Sequence, residues 1–163
     1  MRMRATHGAR GFTLIELLVV VAIIVVIVGL AGAQLMRGPG DVVREESERL
    51  ALLLRAAREE AILQGRVFAF GAGRESYRFL RLERNGRLKV AGGDELFRPQ
   101  RLPPGIEIET LKIEGAGEAV QDGVVLLPSG ELPAFRIVLK SGGARWSVVG
   151  APDGTIRAQA ADS

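Results

Sequence analysis

No cysteine occurs in the 163 residues, and the single histidine, His7, lies within the first eleven. The first absence excludes disulfides, thiol nucleophiles and thiolate metal sites, and is compatible with either an oxidising or a reducing compartment. With no histidine after Phe12 either, the body of the chain lacks the usual imidazole bases and zinc ligands. The body also lacks net charge. Three of the 22 basic residues (Arg2, Arg4 and Arg10) precede Phe12 with no acid among them, which leaves 19 basic against 19 acidic residues beyond. The formal charge of +3 therefore belongs to the leader. A nucleic-acid footprint needs a basic excess on the folded part, and the overall balance provides none.

The remaining catalytic candidates are each short of a partner. Ser129 sits in Pro-Ser-Gly-Glu, without the flanking glycines of a nucleophile elbow. Gly71–Ser76, "GAGRES", contains Gly-x-Gly but neither the strand–turn–helix context nor the Lys-Ser/Thr of a phosphate loop, and reads as a turn. Glu107 and Glu109 alternate with Ile106 and Ile108, which places both on the polar face of one strand with no pocket specified. Tyr77 and Trp146 lie in strand-like alternation and read as packing residues. No enzyme, cofactor or metal site is expected.

What the sequence does have is one long apolar run, Phe12 to Ala33. As a helix its 22 residues extend about 33 Å, matching a hydrocarbon core of roughly 30 Å. The basic leader predicts a cytoplasmic N-terminus and a translocated C-terminal part. Within the run stands Glu16, whose carboxylate costs about 2.5–3.5 kcal/mol in mid-membrane. Two kinds of processing compete on pattern. A secretory signal would be cut after the small residues Ala31-Gly32-Ala33, whereas a retained anchor would be cut between Gly11 and Phe12.

The residues "GFTLIELLVVVAIIVVI" resemble the N-terminal signature of type IV pilin-like proteins: Gly before the cut, Phe after it, Glu four residues later, then unbroken apolar sequence. The resemblance implies cleavage after Gly11 by a prepilin peptidase, N-methylation of Phe12, and pairing of Glu16 with a subunit's N-terminal amine during assembly. The chemistry is consistent. Cleavage leaves an amine of pKa about 7.7–8.0, and Glu16 lies one turn away, where a carboxylate also complements the positive end of the helix dipole. Whether the pair forms within a chain or between chains is left open.

Beyond the run, Gly38-Pro39-Gly40 should interrupt or bend the helix. A restart is expected with Asp41 as cap and Glu45 and Glu46 in or near the first turn. An apolar stripe of Val43, Leu50, Leu53, Leu54, Ala57, Ala61 and Ile62 follows, the intervening Arg and Glu form a solvated face, and Gly65 stops the helix. From Val67 the period becomes two. "RVFAFG" reads as a strand, and "SYRFLRLERNGRLKV" as a hairpin turning at Asn85-Gly86. A Pro-rich loop leads into a strand with Ile106, Ile108 and Thr110 on one face. Two strands flank Pro128-Ser129-Gly130, and a last hairpin turns at Pro152-Asp153-Gly154. Seven or eight antiparallel strands are expected, since no helical crossover remains to join parallel ones.

This order resembles the α+β pilin fold, and "VVLLPSGELPAFRIVLKSG" followed by "WSVVGAPDGTIRA" resembles the H-type minor pseudopilins of type II secretion. The organisation this implies is a cytoplasmic leader (1–11), a single transmembrane helix (12–33), an amphipathic helix (34–65) and a periplasmic β domain (66–163). The implied function is structural, at or near the tip of a pseudopilus, with prepilin peptidase, other major and minor pseudopilins and inner-membrane lipid as partners. The alternative is a minor type IV pilin that binds DNA or another surface. Arg74, Arg78, Arg81, Arg84, Arg87 and Lys89, crowded around the first hairpin, are the residues that would serve it.

Overall fold

A computed structural model describes residues 14–35, 38–91, 97–115 and 123–161. They belong to two units, one ending at Arg37 and the other beginning at Gly38. The first contains helix α1, Leu14–Leu35, whose side chains are described as far as Val28. Within that limit, no helix long and apolar enough to cross a membrane is found among the described residues.

The second unit opens with α2, Pro39–Gln64. Its start differs from expectation: Gly38, not Asp41, is the N-cap, with extended φ and ψ of −70° and 160°. Pro39 suits the first helical turn because the N–H it lacks would have no intrahelical partner there. Asp41 falls inside that turn, and its N–H donates to the Gly38 carbonyl at 3.0 Å. The helix ends as expected at Gly65, whose φ of 61° is open to glycine at little cost. The Gly65 and Arg66 N–H groups donate back to the Ile62 and Ala61 carbonyls.

Nine strands are described. β1 (Phe68–Ala72), β2 (Ser76–Leu82), β3 (Leu88–Val90), β4 (Gln100–Arg101) and β6 (Val124–Leu126) make one antiparallel sheet, in the order β3-β2-β1-β6 with β4 also on β2. β5 (Ile106–Ile113), β7 (Phe135–Ser141), β8 (Ala144–Gly150) and β9 (Ile156–Ala160) make a second, in the order β5-β7-β8-β9. β4 lies in the Pro-rich stretch read as a loop. The strands on either side of Pro128-Ser129-Gly130 do not pair: β6 joins the first sheet and β7 the second.

The core lies where α2 meets the inner faces of both sheets. It contains Val43, Leu50, Leu54 and Ala57 of the helix, Phe68, Phe70, Tyr77, Phe79 and Leu126 of the first sheet, and Ile137, Leu139 and Val148 of the second. Phe79 packs against Phe70, Tyr77 and Phe97, with ring centroids 5.4–6.3 Å apart. Two expected core positions shift. Ile62 is 42 % exposed. Thr110 leaves the face of Ile106 and Ile108 because a bulge lies between Ile108 and Thr110, and one extra residue reverses the alternation. Leu111 and Ile113 take the inward phase after it, packed against the core.

Candidate functional site

The sequence-predicted site residues are at the N-terminal end. Gly11 and Phe12 lie outside the described residues. Glu16 is in the first turn of α1, exposed, the position at which a carboxylate complements the helix dipole. Around it the helix carries only apolar side chains from Leu14 to Val28, and those of leucine, isoleucine and valine are between 41 % and 83 % exposed. A helix that is apolar on all sides is one that is buried, in the interior of a protein or assembly or in a membrane.

In the second unit, the basic residues of the first hairpin do not converge. Arg78 projects from the outer face of β2, two residues from Leu80, whereas Arg81 stands opposite Lys89 in the other phase. Arg81 is paired with Glu83 at 2.9 Å. Arg74 is paired with Glu107, and Arg84 and Arg87 flank the β2–β3 turn, where the Gly86 N–H donates to the Glu83 carbonyl at 2.9 Å. These cations are spread over two faces and a turn, which removes the single basic surface that a DNA-binding reading needs.

Glu107 and Glu109 share one face, as expected, and are occupied by cations. Lys140 lies 2.9 Å from Glu107 and 3.5 Å from Glu109, and Arg145 forks onto both oxygens of Glu109 at 2.9 and 3.0 Å. Hydrogen bonds from Arg74 and then Lys140 hold the Glu107 carboxyl down at about 2, against an ordinary value of 4.5. Arg145 lowers Glu109 in the same way. Both carboxylates are ionised at neutral pH and enclosed by three cations. They are a cross-strand ion ladder, and neither is available as a proton donor.

Three polar features were not legible in the sequence. Glu46 is only 5 % exposed, between the Tyr77 hydroxyl and Arg49, each at 3.4 Å. Burial pushes the Tyr77 phenol well above its ordinary value, with the neighbouring Glu46 charge adding to the shift and Arg49 opposing it. Arg55 donates to the Ile156 carbonyl at 3.0 Å, and Arg58 to that of Gly130 at 2.8 Å. These arginines tie α2 to the strands and turns, in place of the solvated face expected for them. Ser129 bonds within its own turn to Glu131, and Gly73 to Ser76, as turn residues do. Among the described residues, no group of histidine, cysteine or acidic side chains can hold a metal ion.

Comparison with known proteins gives the following. Residues 46–154 match the family described as Type II transport protein GspH, and residues 6–32 match the Prokaryotic N-terminal methylation motif. A Type II secretion system protein H of Pseudomonas aeruginosa is 36 % identical over 155 residues, covering 84 % of this chain and 86 % of the relative. A crystal structure of the minor pseudopilin EpsH from the type II secretion system of Vibrio cholerae superposes with a TM-score of 0.65 at 20 % identity, covering 77 % of this chain and 99 % of that one. A second EpsH structure gives 0.61 at 25 % identity, with coverage of 74 % and 98 %.

Proposed function

The chain belongs to the GspH family of type II transport proteins, and from that premise we propose that residues 12–33 are its membrane anchor and assembly element, with Glu16 the residue on which assembly turns. It is a minor pseudopilin of type II secretion, a structural subunit of the pseudopilus in the cell envelope. Its relatives are structural proteins. Membership of that system implies other pseudopilins as partners and processing by a prepilin peptidase.

The finer reading is as follows. The peptidase cuts between Gly11 and Phe12, the new amine of Phe12 is methylated, and the leader stays on the cytoplasmic side with the β domain in the periplasm. Residues 12–33 span the inner membrane once. During assembly the apolar helix exchanges lipid for the helices of other subunits, a step that needs no net gain in apolar burial because lipid and helix surfaces are equally apolar. What sets register is therefore polar. Glu16 and a Phe12 amine pair, and the pairing offsets the desolvation of both. The observation that carries this reading is the methylation motif over residues 6–32, immediately ahead of and overlapping an apolar helix with its one acid in the first turn.

Glu16→Ala tests it. The expected outcome is a processed, membrane-inserted subunit that no longer supports secretion or co-assembles with other pseudopilins, a loss of at least about tenfold for one truncated partner of a buried charge pair. Normal assembly of this variant would refute the register role.

A further inference from the structure

The outer face of the first sheet is apolar where a solvated face would alternate to polar. Its pairing places Val125, Ala69, Leu80 and Val90 in one row across β6, β1, β2 and β3, and a second row contains Val67, Leu82 and Leu88. Leu88 is 54 % exposed, Val90 39 %, and Leu82 and Val125 36 % each. The inward-pointing residues of the same strands, Phe68, Phe70, Phe79 and Leu126 among them, already fill the core. Arg78 stands at one end of this patch and Arg84 and Arg87 at the other, all three exposed and without an ion pair among the described residues. Four strands spaced about 4.8 Å apart make a face roughly 15 Å wide, room for one helix of about 10 Å diameter.

The complementary chemistry is found on α2. Its outward stripe sets Leu52 and Leu63, 59 % and 81 % exposed, among Asp41, Glu59 and Glu48, the last of them paired with Arg44 at 3.4 Å. The buried side of α2 and the inner face of the sheet share one core, so the stripe and the sheet's outer face point away from each other. One chain cannot close this contact on itself. Two surfaces placed in this way make a head-to-tail contact, the kind that propagates along a filament.

We infer that the outer face of the first sheet receives the long helix of a neighbouring pseudopilin, one whose outward face sets leucines among carboxylates as α2 does. The leucines cover Leu80, Leu82, Leu88 and Val90, and the carboxylates meet Arg78 at one end and Arg84 and Arg87 at the other. This inference rests on the pseudopilin reading and adds which surface is used and what occupies it.

Photo-crosslinking from single positions of the full chain, expressed with the other pseudopilins of its secretion system, tests both. A photoreactive residue at Leu82 should give adducts that map to a leucine-and-carboxylate helix of a pseudopilin, a second copy of this chain included. Arg78→Glu together with Arg84→Glu should lower their yield several-fold, and acid-to-lysine changes on the captured helix should restore it. A probe at Val149, on the second sheet, should give none. If Val25 in α1 crosslinks to pseudopilins while Leu82 gives no adduct, or one with phospholipid or a β domain, this inference fails and the pseudopilin reading stands. The inference also fails if Val149 captures the same helix. If neither Val25 nor Leu82 captures any pseudopilin, the reading beneath it fails as well.

Discussion

Helix α1 and the unit from Gly38 onward are stabilised in opposite ways. From Leu14 to Val28, α1 exposes every side chain it describes and has one acid among apolar residues. The second unit buries all five of its phenylalanines at 0–3 % exposure, with Phe97 the packing partner of Phe68 and Phe79 and Phe135 against Gly150 in the second sheet. Its helix is amphipathic and packs on two sheets. A segment without a core of its own takes its stability from what surrounds it, whereas a segment with a core keeps its structure when its surroundings change. On the proposed reading, in which α1 exchanges lipid for other helices, this division lets the subunit leave the membrane without refolding its second unit.

Separate unfolding of the two regions is the sharpest consequence. Trp146, the only tryptophan, reports on the second unit, and the far-ultraviolet helical signal of detergent-solubilised chain includes α1. Phe79→Ala removes a fully buried ring and should cost about 3–5 kcal/mol by Trp146 fluorescence in urea, leaving the α1 contribution in place. Loss of both signals together would break the comparison. Gly150→Ala comes next. A Cβ there would lie 2.0 Å from the Phe135 ring, and the overpacking should cost about 1–3 kcal/mol by the same readout.

The smallest effect concerns the ion ladder. The folded Glu107 carboxyl titrates at about 2 against an ordinary 4.5, so its contribution is complete above the ordinary value and is lost as pH falls toward 2. Glu107→Gln should therefore be slightly less stable than the parent at neutral pH, and the difference should vanish near pH 2. The groups are partly exposed, so salt should shrink the difference as well. A gap that widened on acidification would refute the ladder's role.

Much of this was legible from residue patterns. The helix over the apolar run, the stop at Gly65 and the hairpins at Asn85-Gly86 and Pro152-Asp153-Gly154 all follow from local chemistry: hydropathy, a left-handed glycine, turn residues. What was not legible depends on contacts distant in sequence. The bulge before Thr110 is set by pairing with β7, and it reverses the phase of a strand whose alternation reads as continuous. Glu46 looks like a solvated first-turn acid until Tyr77, 31 residues on, covers it. Arg55 and Arg58 look like surface charge until the turns and strands whose carbonyls they bind are placed beside them. The separation of β6 from β7 into different sheets is likewise invisible in a turn that reads as local.

The comparison of the two regions stands on α1 being retained at the start of the mature chain with Phe12 exposed as its amine. Intact-mass measurement of the protein isolated from membranes tests this most directly. The account predicts a chain that begins at Phe12, lacks residues 1–11 and carries one added methyl group on its terminal nitrogen. A mature chain beginning at unmodified Gln34, with the apolar run removed, would contradict it.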